Sequence, residues 1–324
     1  MPSTKRWLER LQRDPVPWLL DPGNPSARLL TLRHIFRKPE IALLAEQDRL
    51  LAWAPIRELR SHWEGYHFWA RRDNPYYGSA LGNFGTLYLL TQLGAPPFPE
   101  VEAACENLLD RGRRSDGGFS PETLEHGPWL CYTGMALQIL WHFGFGEDLR
   151  ARSAWHALRQ AIVLRPALLD CPIASGPCYD GLVKALLALL SIPADQRTAD
   201  DAQAINILCE RLTSAIYELL HIGSSWLQPT FPRYYQSDVV ELCRALAQSS
   251  YRQHHRFHTL LDYMVDLQTV EGRWRKMQAT PVLSEERIYH PSRWLTFEAV
   301  HTLILTYGDD IYAPSRSTPE IPTP

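Results

Sequence analysis

A motif that recurs at fixed spacing constrains this chain more than any other feature. Cys131, Tyr132 and Gly134 open the stretch CYTGMALQILWHFG, and Cys178, Tyr179 and Gly181 open CYDGLVKALLALLS, so CYxG returns after 47 residues. A unit of that length holds two helices and their turns. One such pair cannot bury its apolar face alone, so neighbouring units must stack. Segment 77–94 joins the rhythm at an offset of 50, with Leu87, Leu90 and Gly94 falling on Leu137, Leu140 and Gly144. The closing glycine stands where a helix C-cap belongs. Comparable Leu- and Ala-rich stretches at 26–39, 237–248 and 292–310 bring the helices of this type to six.

Between them run five more polar stretches, at 39–60, 99–113, 147–162, 200–220 and 254–268. Their charges alternate with apolar positions at helical spacing, as on an outer ring with one wet face. Four of the five end on an aromatic after a polar turn (Trp63, Phe119, Trp226 and Trp274), and the third has Cys171 near the matching place. Only the Pro-rich stretch 313–324 follows the sixth inner helix, so a helix over 4–13 is expected to supply the missing outer member. Closing the ring removes the exposed end that an open solenoid has to cap. The expected fold class is therefore all-α, an α/α toroid of about six inner and six outer helices. Residues 1–312 are expected to form one domain and 313–324 a disordered tail.

Charge excludes some partners. With 33 basic and 36 acidic residues the net charge is −3, which offers no field for nucleic acid. The N-terminal stretch has charges throughout and does not read as a signal peptide. The longest apolar run, 182–190, is far too short to span a bilayer. A cytoplasmic protein with reduced cysteines is expected. Eleven Trp and fourteen Tyr are many for 324 residues, and suit a wide cavity with aromatic walls.

Residues Gln268, Gly272 and Trp274 fit QxxxGxW, and RRSDGGF at 113–119 is a weaker copy with Arg113 in the Gln position. The first resembles the repeat signature of squalene and oxidosqualene cyclases, and DGGF is similar to the repeat ends of protein prenyltransferase β subunits. The resemblance covers nearly the whole chain. It implies a toroid around a central cavity, an isoprenoid or other apolar lipid as ligand, and prenyl transfer or cyclisation as chemistry. It also implies a structural part for Gln268 and Trp274, the amide closing helix-end groups of a neighbouring unit. The chain departs from both patterns. No DxDD cluster is present, and Asp200-Asp201 and Asp309-Asp310 lie in polar settings that do not make an aspartate strongly acidic. Of the zinc ligands of protein prenyltransferases, Cys178 matches, Gly176 replaces the Asp, and the following inner helix offers no His.

A different zinc site can be drawn on one rim of the ring. Cys131 and Cys178 begin consecutive inner helices, with His126 and Cys171 in the loops leading into them. Three thiolates and an imidazole suit tetrahedral zinc; the plainer reading is small buried residues at helix starts. Candidate catalytic carboxylates are Asp180, Asp238 and Glu241, either as general acid and base of a glycan-active barrel or as helix caps. Candidate substrate-binding aromatics are Trp129, Tyr132, Tyr179, Tyr234 and Trp294. His34, His142 and His301 read as core histidines, and Cys105, Cys209 and Cys243 as core packing. Three functions stay open at this point: an isoprenoid-binding protein or enzyme, a non-catalytic scaffold with structural zinc, and a glycan-active enzyme.

Overall fold

The computed structural model describes residues 6–65, 69, 82–120, 130–164, 169–170, 176–221, 225–279, 283 and 286–308. The protein is all-α, with fourteen α-helices among the described residues. Six form the inner ring: α3 (Pro25–His34), α6 (Asn83–Gln92), α8 (Leu130–His142), α10 (Tyr179–Ser191), α12 (Val239–Ala247) and α14 (Arg293–Tyr307). Most of α6, α8, α10 and α14 is apolar, because outer helices cover one face and the lumen filling covers the other. From α6 to α14 each packs against the next in this order, and α14 returns to α3. The α3/α6 seam is closed by Ser26 Oγ, which donates to the Leu93 carbonyl at 2.7 Å.

The outer ring is α1 (Arg6–Glu9), α4 (Leu44–Leu51) with α5 (Ala54–Ser61), α7 (Pro99–Arg111), α9 (Leu149–Leu164), α11 (Ala199–His221) and α13 (His255–Asp266). Each is laid against the inner helix of its pair, with α1 against α14. Two details differ from expectation. The stretch 39–60, expected as one helix, is a 3-10 turn (Glu40–Leu43) followed by two helices, because Pro55 can sit only in a first turn. Trp53 turns to an extended conformation to start α5. An additional helix, α2 (Val16–Leu19), links α1 to α3 and touches α14. No helix among the described residues is long and apolar enough to cross a membrane.

Glycines explain why the repeats superpose. Gly94 and Gly144 both have positive φ, +71° and +85°, as the aligned C-cap positions require. Beyond them Ala95 N–H bonds Leu90 O at 3.0 Å and Phe145 N–H bonds Leu140 O at 2.7 Å, the same closure in both units. The two CYxG glycines serve the α8/α10 contact. A Cβ on Gly134 would stand 2.5 Å from the Lys184 carbonyl carbon. One on Gly181 would stand 3.0 Å from Leu130 Cβ.

The unit ends repeat as well. Short antiparallel bridges join Trp63 to Trp69, Arg113 to Phe119, Asp170 to Pro177 and Gln268 to Trp274. Three inner helices receive the second bridge residue in one way. Trp69 N–H donates to Asn83 Oδ1 at 2.8 Å, Phe119 N–H to Thr133 Oγ1 at 2.9 Å, and Trp274 N–H to Thr296 Oγ1 at 3.0 Å. In the first unit, then, Trp69 occupies the place that the sequence reading gave to Trp63, which is its bridge partner. Gln268 joins neighbouring units, as the signature implies. Its Nε2 donates to Arg10 O at 3.0 Å, and its Oε1 accepts from Gln12 N–H at 2.7 Å. The Pro-rich stretch 313–324 lies outside the described residues.

Candidate functional site

The axis of the ring is occupied by the segment between α11 and α12. Phe231 is buried and stacks on Trp294 of α14, with centroids 4.7 Å apart and planes at 5°. Arg233 N–H donates to Gln92 Oε1 of α6 at 2.9 Å, and Gln92 Nε2 donates back to Arg233 O at 2.7 Å. Tyr234 meets Phe84 of α6 and Tyr132 of α8 edge-on, at 6.1 and 6.4 Å. One short loop thus touches four inner helices, counting the Asp238 cap of α12, and this is possible only inside the lumen.

Charge fills what the loop leaves. Arg233 is buried and donates to Asp238 (2.9 and 3.0 Å) and to Glu298 of α14 (2.6 Å). Lys184 of α10 reaches both oxygens of Glu241 of α12 at 2.6 and 2.8 Å, with 0% and 2% of the two side chains exposed. Burial pushes the Glu241 carboxyl up, but Lys184, Arg233 and Arg244 together outweigh it and hold it down at about 2. Such pairs survive burial only when both partners are hydrogen-bonded.

Of the three expected catalytic carboxylates, Asp238 and Glu241 are therefore closed by cations. Asp238 also caps α12, accepting from Glu241 N–H at 2.9 Å, so the cap reading fits it. Asp180 differs. It accepts from Ser237 N–H at 2.7 Å and enters no ion pair among the described residues. Burial is the largest influence on it and raises its carboxyl to about 6, against the Ser237 amide and Lys184.

The aromatic candidates separate. Tyr132 and Tyr234 stand together, where burial pushes the Tyr234 hydroxyl up to about 12. Tyr179, its repeat counterpart, turns outward to Glu218 Oε2 of α11 at 3.2 Å and to Trp226. Trp294 is fixed inside by its Nε1–H donating to Ser26 Oγ at 2.8 Å. Trp129 lies outside the described residues.

For the expected metal set, Cys131 and Cys178 come to one rim: a Cβ on Gly181 would lie 3.0 Å from Cys178 Sγ and 3.3 Å from Cys131 N. His126 and Cys171 lie outside the described residues. Among the described residues no group of three or more His, Cys, Asp or Glu is arranged to hold a metal.

The open space lies elsewhere. A cavity of about 500 Å³ opens at the C-terminal ends of the inner helices, opposite the rim that carries Cys131 and Asp180. Leu30, Phe231, Trp294 and Phe297 give it an apolar side. Arg33, Glu40, Arg244 and Glu298 give it charge, and His34, His142 and His301 line it too. These imidazoles are poor proton acceptors. Burial first, then Arg33 and Arg244, lower His34 to about 4, and burial with the neighbouring His34 lowers His301 well below its ordinary value. His142 is lowered by burial although its Nε2 stands 2.8 Å from Ala95 O. His34, Phe297 and His301 form one aromatic face, with centroids 5.3 to 5.9 Å apart.

Sequence reasoning kept the three histidines as core residues and missed Arg33, Arg244 and the lumenal loop. The available signal was PTFPRYY itself, an arginine set among aromatics and prolines in a segment read as a plain connection.

No protein-family profile matches the sequence, and no curated protein matches it. Among solved structures the chain is similar to the type II terpene cyclase MstE from Scytonema. The apo form has 14% identity and a TM-score of 0.33, covering 82% of this chain and 98% of that one. MstE variants in complex with geranylgeranyl dihydroxybenzoate (substrate) and merosterolic acid A (product) each have 14% identity and a TM-score of 0.32, covering 82% of this chain and 99% of theirs.

Proposed function

We propose that this protein binds an isoprenoid or similar apolar chain in the cavity at the C-terminal ends of its inner helices. The observation that carries the reading is the wall of Leu30, Phe231, Trp294 and Phe297 bordering a cavity of about 500 Å³, within the size range of small-molecule sites. The QxxxGxW resemblance, with the terpenoid cyclases and prenyltransferases it points to, supports the same ligand class. Asp180, raised by burial to about 6, lies on the opposite rim and takes no part in this cavity. The test is extraction of the purified protein with organic solvent and analysis of the extract, alongside titration with farnesol. Retained prenyl lipid, or saturable farnesol binding weakened by Phe297→Ala, supports the reading. Binding that ignores Phe297→Ala, or no binding at all, rejects it.

A second reading rests on the adjacency of Cys131 and Cys178 at the opposite rim: a structural zinc in a non-catalytic scaffold, with Cys171 and His126 as the further ligands. Metal content of wild type and Cys178→Ser decides it. One zinc per chain, lost in the variant, supports it; no metal in either rejects it.

A further inference from the structure

Every carboxylate around the cavity is held by a cation other than Arg244. Glu298 accepts from Arg233 at 2.6 Å, Glu241 from Lys184 at 2.6 Å, and Glu40 from Arg33 at 2.8 Å. Arg244 stands back from them, with its nearest carboxylate oxygens 3.5 Å away on Glu298 and 3.9 Å away on Glu241. Its side chain donates no hydrogen bond among the described residues, and its Nε is buried without a partner. About a quarter of the side chain (25%) is exposed, and it lines the cavity. A guanidinium carries five donors in a planar fork, and here the buried Nε–H has no acceptor while the other donors face the cavity side. The partner that fits such a fork is a carboxylate, bound through two parallel N–H···O contacts.

We propose that Arg244 is the anchor for a carboxylate group, so that the ligand of this cavity is a monoanionic amphiphile: a carboxylic acid whose apolar body lies along Leu30, Phe231, Trp294 and Phe297. The apolar body rests on the function proposed above; the anion site rests on Arg244. Charge favours a carboxylate over a diphosphate. Arg33, Lys184, Arg233 and Arg244 already face four carboxylates, Glu40, Asp238, Glu241 and Glu298, so a carboxylate adds a single negative charge whereas a diphosphate would set several against Glu298 and Glu40. Uncompensated charge in a partly buried site is strongly disfavoured.

The experiment is calorimetric titration at neutral pH with four probes: farnesoic acid, farnesol, farnesyl diphosphate and octanoate. Wild type, Arg244→Gln and Arg244→Lys are compared, with far-UV circular dichroism confirming the fold of each. In wild type the acid is expected to bind about ten- to a hundredfold tighter than the alcohol, the range of a charge-assisted pair. The diphosphate is expected to gain nothing over the alcohol. Arg244→Gln should erase the acid's advantage, and Arg244→Lys, which keeps the charge but not the fork, should retain part of it. Acid and alcohol binding equally in wild type would overturn the proposal, even if neither variant folds. So would an advantage that survives Arg244→Gln, or a preference for the diphosphate. Octanoate binding that depends on Arg244, with no binding of farnesol, would uphold the anion site and reject the isoprenoid reading. Farnesol binding with no gain for the acid would do the reverse, and no binding by any probe would reject both.

Discussion

Replacing Lys184 by Met tests the reasoning about the lumen most directly. The ammonium is fully buried and holds both oxygens of Glu241 at 2.6 and 2.8 Å. Removing it leaves a carboxylate with 2% exposure, Arg244 at 3.9 Å and the Tyr88 hydroxyl at 3.5 Å. Two routes give the cost. The depression of Glu241 from 4.5 to about 2, the balance of burial against Lys184 first and then Arg233 and Arg244, corresponds to about 3 kcal/mol at neutral pH, and Lys184 is the largest favourable part of it. Breaking a buried pair by deleting one partner costs about 3–5 kcal/mol. Unfolding entropy scales with length, so for 324 residues that loss corresponds to a fall in Tm of about 4–7 °C. The sign of the pH dependence follows. Glu241 is depressed in the fold, so its contribution is complete above about 4.5 and is lost as pH falls towards about 2. The deficit of Lys184→Met against wild type should therefore be full at pH 7 and shrink in acid. Thermal and urea denaturation followed at 222 nm would measure it, with Glu241→Gln added to close a double-mutant cycle. The pair Lys184→Met/Glu241→Gln should recover most of the loss, because no charge is then left unpaired. A single variant within 1 kcal/mol of wild type, or a double variant no better than the single, would refute the account.

Three further perturbations have defined outcomes. Gly134→Ala would put a methyl 2.5 Å from the Lys184 backbone, so α8 and α10 must separate; a loss of about 3 kcal/mol in urea denaturation is expected, and a neutral variant would contradict the close approach. Trp18 lies between the guanidinium groups of Arg273 and Arg293, at 4.2 and 4.5 Å, so Trp18→Ala should cost about 2–4 kcal/mol in the same assay. Asp180 is raised in the fold, so its protonated form contributes fully below about 3.8, and that contribution is lost as pH rises through about 6. Asp180→Asn should accordingly be more stable than wild type by about 1–3 kcal/mol at pH 8, with the gain fading towards pH 4.5, and equal midpoints at pH 8 would count against it.

How much could be read in the sequence depended on whether a residue's partners were set by its own repeat. The six inner helices and the left-handed Gly94 and Gly144 recur with the unit, so spacing revealed them, while the role of Gln268 came from the QxxxGxW resemblance. The CYxG glycines marked the repeat and no more, and the structure places both at the contact of α8 with α10. Tyr132 and Tyr179 show where repeat logic stops: equal positions, yet one faces the lumenal loop and the other Glu218, because the loop passes only one of them. The lumen was illegible for the same reason. Residues 228–236 belong to no repeat, and their contacts run to three inner helices distant in sequence, α6, α8 and α14. Periodicity shows which side of a helix is buried, not what buries it. Arg244, a basic residue in the last turn of α12, consequently carried no signal in the sequence.

The seam between the first helices and the last has a temporal side. Arg10 pairs with Asp262, 252 residues away, and Arg293 donates to Trp18 O and Asp21, 275 and 272 residues away. At a synthesis rate of about 5–20 residues per second, the N-terminal segment waits roughly 10–50 s for these partners. During that interval Trp7 and Trp18 lack the surface that finally covers them, as the nascent polypeptide lengthens. The middle pairs can dock as they emerge, but the edges of α3 and α13 stay open until α14 has left the ribosome. Closing the ring is therefore the last step of its assembly, and until then residues 6–25 are where a chaperone would have most to hold.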